Sequence, residues 1–119
     1  MKIKYKTHFC AAHKLDGYEG DCANLHGHTW EVIFSFDVKK LDAIGISIDF
    51  RILKQEIKKI IPDHCYLNDV YPVNPTAENI AMLLYQEIQK IFPSIHSVEV
   101  FESKDASVIA EIGDADLLL

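Results

Sequence analysis

The chain has no long hydrophobic run. None of its apolar stretches approaches the roughly 20 residues needed to cross a bilayer. Its start, Met1-Lys2-Ile3-Lys4-Tyr5-Lys6, alternates charge with apolar residues where a signal peptide would carry an apolar block. A cytoplasmic location without membrane partners is the expectation. Positive charge is also scarce: 12 Lys and Arg against 18 Asp and Glu leave a net charge of −6. That is the wrong balance for a general nucleic-acid binder, which neutralises phosphates with surplus Lys and Arg. Cysteine is limited to Cys10, Cys22 and Cys65. An odd count cannot pair fully within the chain, and in a reducing compartment none need pair. It raises the question of whether one thiol does chemistry. Repeats, low-complexity segments and linkers are lacking too, so residues 1–119 read as one domain, long enough to bury a core without disulfides.

What is present is the composition of an ordinary globular protein, 49% apolar and 25% charged, so its patterning is read by soluble-domain rules. Residues 2–13 predict a first strand ending near His13. Lys2, Lys4 and Lys6 share one face of it, with His8 behind them, and read as a solvated strand face. Residues 14–27 carry Asp16, Gly17, Gly20, Asp21 and Asn24 and predict a loop. From His28 onward Trp30, Val32, Phe34, Phe36 and Val38 recur at period two, a strand with one buried face. A turn at 42–45 and an extended piece at 46–49 follow. Phe50, Leu53, Ile57, Ile60 and Ile61 then predict an amphipathic helix stopped by Pro62.

Residues 62–75 hold three prolines and two asparagines and predict a loop. Thr76 is a candidate N-cap with Glu78 in the first turn, opening a helix through Ile80, Leu83, Leu84, Ile88 and Ile91 that stops at Pro93. Two further strands are expected, 96–103 with Val98 and Val100 inward, and 106–112 with Val108, Ala110 and Ile112 inward. The order β-β-α-α-β-β describes an α+β fold, a four-stranded antiparallel sheet with two helices on one face. Its two open edges point to a homo-oligomer paired through the sheet.

Chemistry concentrates around His26-Gly27-His28. Residues i and i+2 of a strand project to one face, so both imidazoles can converge on one ion, and Gly27 between them adds no side chain. A hairpin-like return from the preceding strand brings His13 alongside. Three imidazoles suit Zn²⁺ and leave a fourth position open for water or substrate. Cys22, four residues before His26, has three readings: a fourth ligand closing a structural site, a thiol acting as base or nucleophile beside a cation, or an ordinary thiol. Asp63-His64 is a pair in which an acid can orient an imidazole for proton transfer, although neighbours in sequence need not touch. Glu102 shares the inward parity of Val98 and Val100, where a carboxylate is costly unless paired or used; a strand-end salt bridge is the alternative.

Together these segments resemble the 6-pyruvoyl-tetrahydropterin synthase / 6-carboxy-tetrahydropterin synthase family. The matching stretches are Phe9-Cys10-Ala11-Ala12-His13, Cys22-Ala23-Asn24-Leu25-His26-Gly27-His28, Ile48-Asp49-Phe50, Asp63-His64-Cys65-Tyr66-Leu67-Asn68-Asp69, Asn74-Pro75-Thr76-Ala77-Glu78-Asn79 and Val98-Glu99-Val100-Phe101-Glu102. The Cys-x-x-x-His-Gly-His stretch is the most specific. The chain departs from the pattern at Ser103-Lys104-Asp105-Ala106-Ser107 and at Cys65.

The resemblance implies a tunnelling fold, with trimers closing their sheets into a barrel, two trimers stacking into a hexamer, and active sites between subunits. It implies Zn²⁺ on His13, His26 and His28, Cys22 as the group that takes a proton from the substrate side chain, and His64 oriented by Asp63 as its partner. Glu102 would anchor the pterin ring and join the proton relay, and Thr76 would contribute to the pterin pocket. The implied reaction is conversion of 7,8-dihydroneopterin triphosphate to 6-carboxy-5,6,7,8-tetrahydropterin, with release of acetaldehyde and triphosphate, toward queuosine. The alternatives are the pyruvoyl synthase, which eliminates triphosphate, and a non-catalytic zinc or pterin-binding protein. A third branch of the family replaces the Cys by an acidic residue and cleaves the side chain for folate synthesis; the presence of Cys22 argues against it.

Overall fold

A computed structural model describes residues 1–114; the Leu-rich ending, Leu117 to Leu119, lies outside them. Strand β1, Lys2–His13, pairs antiparallel with β2, His26–Asp37, in an unbroken register from Lys2 opposite Asp37 to His13 opposite His26. The period-two pattern of β2 places Trp30, Val32, Phe34 and Phe36 in the core, each fully buried, against Phe9 and Ala11 of β1. Helix α1, Phe50–Ile60, is capped by Asp49, whose carboxylate accepts from Arg51 N–H at 2.8 Å, and it buries Leu53 and Ile57.

Helix α3, Ala77–Ile91, begins at Thr76 as expected: the hydroxyl accepts from Asn79 N–H at 3.1 Å. It buries Ile80, Ala81, Leu84 and Ile88 against β4, Ile95–Ser103, and β5, Ala106–Glu111. Val98 and Val100 are fully buried. The helices cover one face of the sheet, an α+β fold.

Three expectations need correction. The sheet is five-stranded and mixed, in the order β3-β1-β2-β4-β5, because Cys65–Tyr66 form a short β3 that pairs parallel with Ala11 and Ala12. The segment after Pro62 is therefore not all loop; a single helical turn, α2, Leu67–Val70, follows β3 and buries Leu67. Three residues of the apolar patterns are exposed, Ile91 at the end of α3 the least, at 38%. Ile112 falls past the end of β5, in the turn made by Gly113 at φ 94°, and is 80% exposed. Phe50, the first residue of α1, is 61% exposed and lines an apolar depression with Met1, Ile3, Leu41, Ile46 and Ile48. Among the described residues no helix is long and apolar enough to cross a membrane.

Among the described residues, β1 has no strand partner on its outer side beyond Ala11 and Ala12, and β5 has none on its own, which leaves two strand edges open. The N-cap of α3 is directly testable. Replacing Thr76 by Ala removes the acceptor for Asn79 N–H and should cost about 1 kcal/mol in urea unfolding, while Thr76→Ser should retain most of it. An unchanged midpoint for Thr76→Ala would remove the cap from the account.

Candidate metal centre and proton-transfer groups

The β1–β2 register sets His13 opposite His26 and Ala11 opposite His28. All three imidazoles therefore leave the sheet on the core face, at the end next to the start of α3. His13 is fully buried and His28 is about one quarter exposed. Trp30 lies beneath them, with its ring centroid 4.9 Å from that of His13 and 5.2 Å from that of His28. The pairing of β2 with β4, Val32 opposite Val100, carries Glu102 to the same end. Its Oε1 is 3.1 Å from His28 Nε2 and 3.7 Å from His13 Nε2. The donor atoms of His13, His26, His28 and Glu102 all lie within 4.8 Å of one another.

Hydrogen bonds decide which ring nitrogens carry protons. His13 Nδ1 is 2.7 Å from Pro75 O, and His26 Nδ1 is 2.7 Å from Asn24 O. A carbonyl can only accept, so both Nδ1 atoms carry hydrogen and, in the neutral rings, both Nε2 atoms present lone pairs. Those two Nε2 atoms face each other at 2.9 Å. Two lone pairs repel at that distance unless a proton or a cation lies between them. His28 Nε2 is buried without a hydrogen bond, since Glu102 Oε1 is near but not aligned. Buried polar atoms are normally satisfied, and this one is aimed at the same point. Burial pushes the pKa of His13 and of His28 down, which outweighs the opposing pull of Glu102 and, at His13, of Pro75. A neutral imidazole with its distal nitrogen tied to a carbonyl, as at His13, is the usual form of a metal-binding histidine. The donor set fits a divalent cation that accepts nitrogen and oxygen.

The remaining candidates sit elsewhere. Asp63 and His64 do touch: His64 Nδ1 is 2.9 Å from Asp63 Oδ2. Asp63 Oδ1 accepts from Cys10 N–H at 2.9 Å, and His64 N–H donates to Cys10 O at 2.7 Å. The pair is thus bolted to the outer edge of β1. The Cys10 N–H, and then the His64 imidazole, hold the Asp63 carboxyl below its ordinary pKa. His64 has φ 55°, a left-handed conformation unusual for a non-glycine residue. Its side chain is 81% exposed, and it borders a shallow depression of about 590 Å³ together with Cys10, Ala12, Gly27, His28 and Thr29.

Cys22 lies in a single 3₁₀ turn, Asp21–Ala23, half-buried. It is not among the residues whose donor atoms converge, which disfavours the closed four-ligand reading. Cys65 is engaged elsewhere, its Sγ donating to Pro62 O at 3.0 Å. Thr76 follows the Pro75 carbonyl that orients His13. The carbonyls of Pro75 and Asn24 were not found from sequence, because backbone acceptors leave no residue-type signature.

The profile of a family described as 6-pyruvoyl tetrahydropterin synthase matches residues 2–112. A 6-carboxy-5,6,7,8-tetrahydropterin synthase of Synechocystis is 37% identical, over 87% of this chain and 88% of that protein. A dihydroneopterin monophosphate aldolase of Pyrococcus furiosus is 37% identical, over 77% of this chain and 78% of that one. Among solved structures, the Caenorhabditis elegans 6-pyruvoyl tetrahydropterin synthase superposes with TM-score 0.82 at 19% identity, covering 93% of this chain and 94% of that one, a likeness of fold.

The lowered pKa of His13 and of His28 gives a signed expectation for the metal-free protein. Below about pH 6.5 the unfolded chain binds protons at these histidines that the folded chain refuses. Stability should therefore be full above that pH and fall as the pH drops from it through the depressed folded values. Urea midpoints of chelated protein between about pH 5 and 7.5 check this, and a flat profile would contradict it.

Proposed function

Because the chain belongs to the 6-pyruvoyl tetrahydropterin synthase family of pterin-processing enzymes, we propose that it converts 7,8-dihydroneopterin triphosphate and water to 6-carboxy-5,6,7,8-tetrahydropterin, acetaldehyde and triphosphate, a step toward queuosine. The observation that carries this reading is the convergence of His13, His26 and His28 beside Glu102. The choice of product follows the Synechocystis relative, similar along most of both chains.

His13, His26 and His28 would hold Zn²⁺, which supplies Lewis-acid polarisation of the side-chain hydroxyls and so makes the adjacent carbon-bound protons removable. Cys22 takes a proton from that side chain. His64 relays protons: with Nδ1–H fixed on Asp63, its Nε2 is the free, exchangeable nitrogen. Glu102 binds the amino and ring N–H groups of the pterin, a charge-assisted pair of hydrogen bonds. Thr76, whose hydroxyl accepts at the cap, keeps its own proton to donate toward the ring.

His64 stands on the outer edge of β1 and turns its imidazole to solvent. We place it in the active site of a neighbouring copy, with open strand edges pairing between chains into a trimeric barrel and trimers stacking into a hexamer. Cys22→Ala and His64→Ala proteins, each inactive alone, should then regain activity when dissociated and reassembled together. Mixtures that stay inactive would return both residues to one chain.

The pyruvoyl synthase reaction is the second reading. Product analysis by mass spectrometry separates the two: a 6-carboxy product with acetaldehyde is expected, and a pyruvoyl product would move the chain to the second reading. No turnover in folded, zinc-loaded protein would favour a binding role. Glu102→Gln should weaken pterin binding with metal content unchanged; loss of metal instead would make Glu102 a ligand.

A further inference from the structure

The segment between His13 and Cys22 has few bonds of its own. It is largely exposed, and Leu15 N–H donating to Cys22 O at 2.9 Å ties its two ends. What holds it to the body of the protein is a pair of side-chain amides. Asn68 Oδ1 accepts from Lys14 N–H at 3.0 Å, and Asn68 Nδ2 donates to Lys14 O at 3.0 Å. Asn74 does the same two residues on, accepting from Asp16 N–H at 3.0 Å and donating to Asp16 O at 3.1 Å. Each amide thus satisfies both backbone groups of one residue, as a peptide unit of a neighbouring strand would. Together they prolong the hold on β1 past His13, where its strand pairing stops.

Asn74 is itself fixed. Its carbonyl accepts from Asn79 Nδ2 at 2.8 Å and from Thr76 N–H at 2.8 Å, which ties it to the first turn of α3. The next carbonyl, Pro75 O, orients His13. One short segment therefore carries a backbone acceptor for an imidazole of the metal centre and a side-chain clamp for the loop that bears Cys22.

We propose that Asn74 and Asn68 are positioning residues that hold the Cys22 loop in place relative to the imidazole cluster, Asn74 from the segment that orients His13. This rests on the reading of Cys22 as the proton acceptor. The clamped backbone groups are exposed, so water can replace the amides at small cost in stability; position is what is lost. A displacement of about 1 Å at a proton-transfer group can cost on the order of 100-fold in rate.

The test compares zinc-loaded wild type with Asn74→Ala, Asn74→Asp and Asn68→Ala. Asn74→Ala should lower kcat roughly 10- to 100-fold, with KM and metal content close to wild type, because Pro75 O and the residue-74 backbone carbonyl held by Asn79 both persist. Asn74→Asp keeps the acceptor and loses the donor, and should fall between the two. Limited trypsin digestion gives a readout independent of turnover. Lys14 is exposed, but its N–H and C=O are both clamped. Cleavage after Lys14 should be slow in wild type and at least several-fold faster in Asn68→Ala and Asn74→Ala. Alkylation of Cys22 by iodoacetamide, normalised to the exposed Cys10, should change in the same variants.

Unchanged kcat with Lys14 still protected would overturn the inference, as would loss of kcat in step with loss of metal. Should the wild type show no turnover, the proposed reaction fails on its own, and digestion and alkylation decide the clamp: faster nicking in both asparagine variants supports it, and wild-type resistance overturns it.

Discussion

Everything at the candidate metal centre depends on the register in which β1 meets β2. Because side chains alternate across a sheet, slipping one strand by a single residue would turn its imidazoles to the opposite face. The register is held by the body of the hairpin, where Phe9 and Ala11 pack with Trp30, Val32, Phe34 and Phe36 in one core. His13 and His26 are simply the last pair of that ladder. A buried histidine is unfavourable unless bonded, and Pro75 O supplies the bond for His13 at 2.7 Å. The centre therefore inherits its rigidity from the sheet and its ring orientation from loop carbonyls, the combination that precise sites need.

The groups proposed for proton transfer are positioned differently. Asp63 and His64 belong to the short stretch that leads into β3, and they hold to β1 through the N–H and C=O of Cys10. Positive φ at a non-glycine residue is unfavourable and persists where the surroundings over-determine it. At His64 those surroundings are the Asp63 carboxylate on one side and the Cys10 carbonyl on the other. The conformation sends the imidazole outward, past the sheet edge. A single chain thus presents two separate groups: imidazoles and Glu102 on the helix-covered face, and an oriented His64 at the sheet edge.

Legibility in the sequence followed the strength of the local pattern. Strand β2 was plain because alternation ran from His28 to Val38; both long helices were stopped by a proline, and the second also opened on the Thr76 cap. The imidazole cluster was legible for the same reason, since His26 and His28 share a face by parity alone. Glu102 was found by parity with Val98 and Val100. Strand β3 was not legible, since two residues show no period, and its pairing adjoins the bonds of Asp63 and His64 to Cys10, which join residues far apart in sequence. Phe50 and Ile112 fitted the apolar pattern yet lie exposed, because a pattern does not say where its element stops meeting the sheet. Pro75 O and Asn24 O, which set the tautomers, belong to backbone that any residue type could supply.

Asn68 and Asn74 show a further reason why site construction is harder to read than fold. In sequence they look like turn residues in a proline-containing stretch, and they do sit there. Their amides, however, act across more than fifty residues of chain, on Lys14 and Asp16. A loop proposed to serve an active site must stay open to substrate, so it cannot be secured by burying apolar side chains. Side-chain amides resolve this conflict: each makes two bonds to backbone, buries little, and leaves the neighbouring side chains free. The region from Asn74 to Asn79 then does three jobs, capping α3, orienting His13 and securing the loop, because it lies where the helix start, the sheet end and that loop meet. The asparagines are placed by the geometry of that junction, not by any pattern in their own segment.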